Sequence, residues 1–328
     1  MIITKTPLRI PMGGGGTDLP EFYSQFGGRL LTAAINRHIF VFVQRWFEEG
    51  IKVSYSKTEI VQSVEDIQHP VVREALRLSK ISNHIEVLSM AELPSQTGLG
   101  SSSTYTVGLL KALGLYTGIE MGTKELAELA CHLQMDILRE PGGKQDQYAA
   151  AFGGLISLEI DRDGTVEVTR LPIEPGVLEE LQHSLIYFYT GICRKAADIQ
   201  STYSAAVGRN EKTPVEALLK IKEIGVLSEK ALLAGQLDDF GYLLHEHWTT
   251  KQKISNHISN GRVDELYCVA REAGAYGGKL MGAGGGGFLM IYCPVEKKQA
   301  VRRALTYQGL REVKFQFEFE GSSVMLNA

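Results

Sequence analysis

The sequence predicts an α+β protein built as two domains, and three observations carry that expectation. The chain has 328 residues, more than one hydrophobic core ordinarily organises. Strand-like and helix-like segments are mixed but do not alternate as a doubly wound parallel sheet requires. Between Pro172 and Gly176 two prolines and a glycine interrupt the pattern, which places the domains at 1–172 and 173–328.

Taken in order, "RHIFVFVQRWF" (37–47) is β-branched and aromatic and reads as a strand, with "GIKVSYS" (50–56) as its hairpin partner. A helix is expected at 70–80 and a strand at 84–90. From Ser101 to Leu115 apolar residues recur at Tyr105, Leu109, Leu110 and Leu113, which is helical spacing. Thr123 caps a further helix with the register Leu126, Leu129, Ala130, Leu133 and Ile137, stopped before Pro141. "GGLISLEI" and the segment after the Asp163-Gly164 turn read as strands. The second half opens on an apolar strand (183–190) and continues with helices near 195–207, 214–234, 238–254 and 263–274. A glycine-rich loop then feeds the strand "FLMIYC", and helix 296–307 and a last strand, "VKFQFEFE", finish the chain.

Composition narrows the function. Hydrophobic residues at 44% and charged residues at 22% describe an ordinary globular protein. A net charge of −4 and the lack of a basic run argue against a nucleic-acid partner. No apolar run is long enough for a bilayer, and the opening "MIITKTPLRIP" is too short and polar for a secretory signal. Cys131, Cys193, Cys268 and Cys293 lie far apart without a CxxC pair and read as reduced core thiols, so a cytoplasmic protein is expected.

Glycine is concentrated in "GGGGTD" (13–18), "GLGSSS" (98–103) and "GAGGGG" (282–287). Such runs cost backbone entropy, and serve either tight packing or close approach of backbone N–H groups to an anion. Neither "GGKQ" (142–145) nor "GGKL" (277–280) completes a Walker phosphate loop, which needs an earlier glycine and a following Ser or Thr. Residues 282–287 match GxGxxG by letter but open a strand instead of a helix, so the dinucleotide reading fails. The loop "PSQTGLGSSST" (94–104) does open a helix. A single cap needs one serine; three serines at a helix N-terminus suit a phosphate chain and an oxygen-ligated Mg²⁺.

With that loop set between "TPLRIPMGGGGTD" and "KLMGAGGGGF", the whole chain resembles the GHMP kinases, the superfamily of galactokinase, homoserine kinase and mevalonate kinase. "PLRIPMGGGGTDLPEFY", "GGKQDQYAAAFGG" and "LHEHW" read like its bacterial heptose 7-phosphate kinase branch. The resemblance implies ATP and Mg²⁺, a site in the cleft between the two domains, and transfer of the γ-phosphoryl group to a small-molecule hydroxyl. For this branch that is the anomeric hydroxyl of D-glycero-D-manno-heptose 7-phosphate, giving the 1,7-bisphosphate. A kinase for a non-phosphorylated sugar such as fucose or galactose is the alternative, and a non-catalytic nucleotide or sugar sensor a third reading.

By the same resemblance Asp146 is the catalytic carboxylate that takes the attacking hydroxyl's proton, and Arg9 pairs with it and neutralises phosphate charge. Gly15, Gly16, Thr17 and Asp18 would face the sugar, together with Lys144. Thr97, Gly98, Leu99, Gly100, Ser101, Ser102 and Ser103 would hold the nucleotide, with Gly284 and Gly285 shaping the site near the phosphates. Ser102 aligns with the Mg²⁺-binding serine. Where many relatives carry a second, glutamate ligand this chain has Gln134, which offers an amide oxygen but no charge; Asp136 points away from it on a helix. The metal ligands stay open between Gln134, Asp136 and the nucleotide alone. His245 and His247 diverge by about 200° on a helix and cannot share an ion; they read as a polar face. Lys251 and Lys253 lie within reach of a phosphate. A 7-phosphate would need its own cation from Arg29, Arg37, His38, Lys144, Arg194 or Lys195, and local sequence does not choose.

Overall fold

A computed structural model describes residues 1–192 and 196–328. Cys193, Arg194 and Lys195 lie outside the described residues. In chain order the elements are β1 (Ile2–Gly13), α1 (Pro20–Phe26), β2 (Gly28–Arg45), β3 (Ile51–Ser54), β4 (Thr58–Val61), α2 (Pro70–Leu78), β5 (Ile85–Ala91) and α3 (Ser101–Tyr116). There follow α4 (Thr123–Cys131), α5 (Gln145–Phe152), β6 (Leu155–Ile160), β7 (Val166–Arg170), α6 (Pro175–Ser184), β8 (Leu185–Tyr189), α7 (Ala196–Gly208) and α8 (Lys212–Leu233). The chain closes with α9 (Leu237–Lys251), α10 (Gly261–Glu272), β9 (Gly277–Leu280), β10 (Phe288–Tyr292), α11 (Lys298–Tyr307), β11 (Arg311–Val313) and β12 (Ser323–Asn327).

The strands form two sheets, and the α+β expectation holds. The first runs β12-β1-β2-β5-β3-β4, with β6 and β7 continuing from the other half of the long β2. The second is antiparallel, in the order β11-β8-β10-β9. Strand β2 belongs to both arms of the first sheet because Gly28–Ala33 pair with β6 while Ile39–Arg45 pair with β5. The C-terminal β12 returns to pair with β1, so residues 323–327 of the expected second unit pack in the first sheet. No described helix is long and apolar enough to cross a membrane.

Several local expectations are corrected. Segment 50–56 is not the hairpin partner of 37–47: β3 pairs with β4, and in parallel with β5, which lies between it and β2. "VKFQFEFE" is not a strand beyond Val313; its β-pairing with β2 is a single bridge, Ile35 to Phe317. Its pairing stops where β2 bulges, since Pro7 faces His38 but Leu8 faces Ile35, leaving Asn36 and Arg37 out of register. The helix expected up to Ile137 is α-helical only through Cys131, then widens into a π turn over His132–Ile137. Gly122, not Thr123, stands at its N-cap. Of the cysteines, Cys131 and Cys293 are buried thiols as expected, whereas Cys268 is exposed.

One packing feature sets the site. Helix α3 is buried from Ser103 to Gly114 except at Lys111, and lies against β1. Gly108 lets it approach: a Cβ there would come within 2.7 Å of Thr6 Oγ1. Thr4 Oγ1 donates to Gly108 O (2.9 Å) and Thr104 Oγ1 to Pro7 O (3.2 Å). These bonds fix the α3 N-terminus beside Arg9 of β1.

Candidate active site

Asp146 stands in the first turn of α5, and Arg9 holds both of its oxygens, Nε to Oδ1 at 2.7 Å and Nη2 to Oδ2 at 2.8 Å. The third donor of that guanidinium, Nη1, reaches Gly98 O at 2.6 Å. The Arg9 backbone N–H donates to Leu99 O (3.1 Å), so one residue ties the carboxylate and the glycine-serine loop together. Bidentate pairs of this kind fix geometry as well as charge. Gly100 closes the arrangement: its φ is +78°, and a Cβ would stand 3.2 Å from the Asp146 carboxylate and 3.3 Å from Arg9 Cγ.

No side chain caps α3. The N–H groups of its first turn therefore keep their hydrogen-bonding capacity at the positive end of the helix dipole, as an anion site requires. Ser101, Ser102 and Ser103 line a cavity of about 850 Å³ that also takes in Arg9, Asp18 and Asp146. Thr97 and Leu99 do not line it. Leu99 is a core residue, and Thr97 O receives Phe288 N–H (3.3 Å). They anchor the loop from behind.

The first glycine run splits the same way. Gly15, Gly16 and Asp18 line the cavity. Thr17 is buried, its single hydroxyl proton shared between Gly14 O (2.8 Å) and Arg29 O (3.0 Å), so it shapes the turn and does not face a ligand. Asp18 accepts from Gly16 N–H (3.1 Å) and Gln145 N–H (3.0 Å). Burial raises its pKa above the ordinary carboxylate value, and the nearby Asp146 charge adds to the rise. Beside it Gln145, also buried, lines the same cavity as Gly15 and Asp18, and its Nε2 has no hydrogen-bond partner among the described residues. Sequence reasoning passed over Gln145.

The third run is mainly a packing device, which corrects the assignment of Gly284 and Gly285 to the phosphates. A Cβ on Gly284 would meet Ile258 O at 2.6 Å, and Gly285 N–H donates to Ile258 O at 2.8 Å. Gly282 and Gly98 lie face to face, a Cβ on Gly282 falling 2.6 Å from Gly98 Cα. Gly282 and Ala283 reach the cavity; Gly284 and Gly285 do not.

Of the metal-ligand expectations, Ser102 faces the cavity, but Gln134 does not present an oxygen to it. The Gln134 Nε2 donates to Ser102 Oγ (3.2 Å) and Glu140 Oε2 (3.0 Å), and its other side lies against the Gln147 amide, 2.9 Å away. The π turn brings Gln134 inward to 3% exposure. Asp136 points outward and pairs with His132 at 2.8 Å. The carboxylate at this end of the cavity is Glu140, which motif reading missed because it precedes the aligned segment.

Lys144 also leaves the site. Its ammonium donates to Glu128 (3.2 Å) and Gly164 O (2.7 Å), away from the cavity. Of the other cations proposed to read a 7-phosphate, the described ones are engaged elsewhere: Arg29 with Glu229 and Glu159, His38 with Glu92 and Glu318, Arg37 with Asn36 O and Lys314 O; Arg194 and Lys195 lie outside the described residues. Lys253 is exposed and does not line the cavity. His247 is buried to 1% exposure, so of the two histidines the polar-face reading fits only His245, whose Nδ1 meets Tyr267 Oη at 2.8 Å. Two lysines do line the cavity, Lys251 and Lys279.

Comparison with known proteins places this geometry. Residues 61–154 match the family description "GHMP kinases N terminal domain" and residues 228–309 match "GHMP kinases C terminal". A "D-glycero-alpha-D-manno-heptose 7-phosphate kinase" of Campylobacter jejuni is 31% identical across 98% of this chain and 97% of its own length. The chain belongs to the GHMP kinases. Among solved GHMP kinase folds, a "D-glycero-D-manno-heptose 1-phosphate kinase" from Bacteroides thetaiotaomicron superposes with a TM-score of 0.81 at 26% identity, covering all of both chains. A "Putative Sugar Kinase" from Campylobacter jejuni gives 0.77 at 27% identity, covering 98% of this chain and 97% of its own. As a GHMP kinase the chain is an ATP-dependent phosphotransferase. Replacing Lys144 by Met is expected to change substrate KM by no more than about twofold, because a partly exposed ion pair away from the cleft contributes little. A tenfold rise in KM would return Lys144 to the site.

Proposed function

We propose that this kinase transfers the γ-phosphoryl group of ATP to the anomeric hydroxyl of D-glycero-D-manno-heptose 7-phosphate, giving the 1,7-bisphosphate. The observation that carries a catalytic reading is the Asp146 carboxylate, held on both oxygens by Arg9 and close against Gly100 at the open N-terminus of α3. A hydroxyl between that carboxylate and a phosphate on the helix would have its proton acceptor and its electrophile within reach. The new bond joins the sugar oxygen to phosphorus, the bond to the nucleotide's bridging oxygen breaks, and the hydroxyl proton passes to Asp146. Arg9 keeps Asp146 aimed and places a positive charge beside the negative charge that develops in transfer.

The uncapped N–H groups of Ser101 to Ser103 fit the nucleotide phosphates. The cavity's apolar end, with Ile39, Tyr55, Met90, Leu93 and Tyr105, suits a base. Asp18 as acceptor and Gln145 Nε2 as donor suit sugar hydroxyls, with the backbone of Gly15 and Gly16 alongside. Ser102 Oγ and the Glu140 carboxylate are the oxygens that fit Mg²⁺, a hard cation that prefers such donors. When bound, Mg²⁺ would neutralise phosphate charge. Glu140→Gln is expected to raise the Mg²⁺ concentration for half-maximal activity about tenfold, and to weaken Mn²⁺ binding in the presence of ADP, followed by electron paramagnetic resonance. Unchanged Mn²⁺ binding would remove Glu140 from the metal site.

The heptose phosphate comes from relatives whose names share it and differ on the phosphate's position. The test is ADP release from Mg·ATP against heptose 7-phosphate, the same heptose without phosphate, fucose, galactose and mannose. Turnover confined to the 7-phosphate supports the proposal. Turnover on a plain sugar keeps the kinase and discards the heptose phosphate. Nucleotide binding with silence on every sugar favours the sensor reading.

A further inference from the structure

The cations that line the cavity, among the described residues, are Arg9, Lys251 and Lys279, apart from His69 at its aromatic end. Arg9 is matched by Asp146. The two lysines are not matched. Lys279, in β9, is 1% exposed and its ammonium has no hydrogen-bond or ion-pair partner among the described residues. Lys251, the last residue of α9, is 7% exposed and donates only to the carbonyl of Gly282, at 2.6 Å. Both feel the charge of Arg9, and Lys279 feels that of Lys251; the Asp18 carboxylate acts on Lys251 from a distance without pairing with it, and no described carboxylate acts on Lys279.

Lysine is almost never this buried without a counter-charge, because desolvating an ammonium costs several kcal/mol. Placing a second ammonium and a guanidinium nearby makes the cost larger. Burial accordingly pushes Lys251 down to about 8 and Lys279 well below the ordinary lysine value. Behind them His247, one turn before Lys251 on α9, is buried with neither ring nitrogen paired, so it brings no negative charge. Both lysines are buried, and both line the cavity. What the cluster lacks is an anion in contact with either ammonium, and the cavity is where one can enter.

We propose that Lys251 and Lys279 form an anion subsite for a phosphoryl group, in the cavity that holds the α3 N-terminus and the Arg9–Asp146 pair. This rests on the kinase reading for its two sources, which share one chemistry: the group in transfer from the nucleotide, or the phosphate that the sugar already carries. "GGKL" reads in sequence only as a failed phosphate loop. The fold makes its lysine a phosphate ligand by another route, setting it on a strand under the C-terminus of α9.

The test uses Lys279→Met and Lys251→Met in the full chain, with inorganic phosphate as the probe and KM and kcat measured on a phosphorylated sugar and on the same sugar without its phosphate. In the wild type, phosphate titrated by calorimetry is expected to bind, and each variant to bind at least tenfold more weakly. Methionine removes a buried charge at similar length, so the ligand-free melting temperature is expected to hold or rise. If the sugar's own phosphate is the occupant, KM for the phosphorylated sugar rises at least tenfold and the plain sugar is unaffected. If it is the group in transfer, kcat falls at least tenfold on both sugars with KM little moved. Two folded variants that keep phosphate binding and both constants within twofold of wild type overturn the proposal. Should one variant fail to fold, the other decides. Lysine-dependent phosphate binding in a protein that turns over no sugar keeps the subsite and sinks the kinase reading instead.

Discussion

Asp146→Asn is expected to lower kcat by about two to four orders of magnitude while leaving ATP binding close to wild type. The amide keeps the shape of the carboxylate and one oxygen for Arg9, but it cannot accept the hydroxyl's proton. ATP binding survives because the α3 N-terminus and the apolar end of the cavity are built from other residues. The change also leaves Arg9, 6% exposed, with half of its bidentate partner, so a modest loss of stability is expected alongside. Single-turnover kinetics separate the two effects: the chemical step slows, and the nucleotide dissociation constant does not move. A kcat within about tenfold of wild type would take Asp146 out of proton transfer.

The second large effect is expected at Gly98. Its φ of +80° is left-handed, and a Cβ there would sit 2.3 Å from the carbonyl of Met281. Neither atom is the flexible end of a side chain, so Gly98→Ala must push the two glycine loops apart. Left-handed strain of about 1–2 kcal/mol and an overpacking cost of similar size add up to roughly 3 kcal/mol. That corresponds to a melting temperature lower by on the order of 5 °C. Because Arg9 Nη1 bonds Gly98 O, the same displacement disturbs the grip on Asp146, and both ATP affinity and kcat are expected to fall. Differential scanning calorimetry and ATP titration check this; an alanine variant that melts and binds like wild type would mean the loops are not tightly docked.

Much of the fold was legible because its signals are local. The helix over Ser101–Tyr116 and those of the second half follow apolar periodicity, which survives whatever they pack against. Strand β1 gave no such signal. Pro7 and Pro11 interrupt it, and both fall at register irregularities that a sequence pattern does not show. The pairing of β3 with β5 was illegible for another reason: it joins strands separated by a helix, whereas adjacency suggested a hairpin. In the site, Arg9, Asp18, Asp146 and the serine loop were readable from motifs. Glu140, Gln145 and Lys279 were not, since only folding shows that their side chains reach the cavity or lack a partner. Gly284, Gly285 and Lys144 show the converse. Their residue types suit a phosphate site, and backbone packing and Glu128 have already claimed them.

The central claim is that this cleft moves a phosphoryl group onto a sugar's anomeric oxygen. Phosphorus NMR of the full chain with Mg·ATP and D-glycero-D-manno-heptose 7-phosphate tests it most directly. The account predicts a second sugar phosphorus resonance, coupled to the anomeric proton, growing in step with ADP and abolished by Asp146→Asn. ADP formed without that resonance, or a new resonance coupled to another carbon's proton, would contradict it.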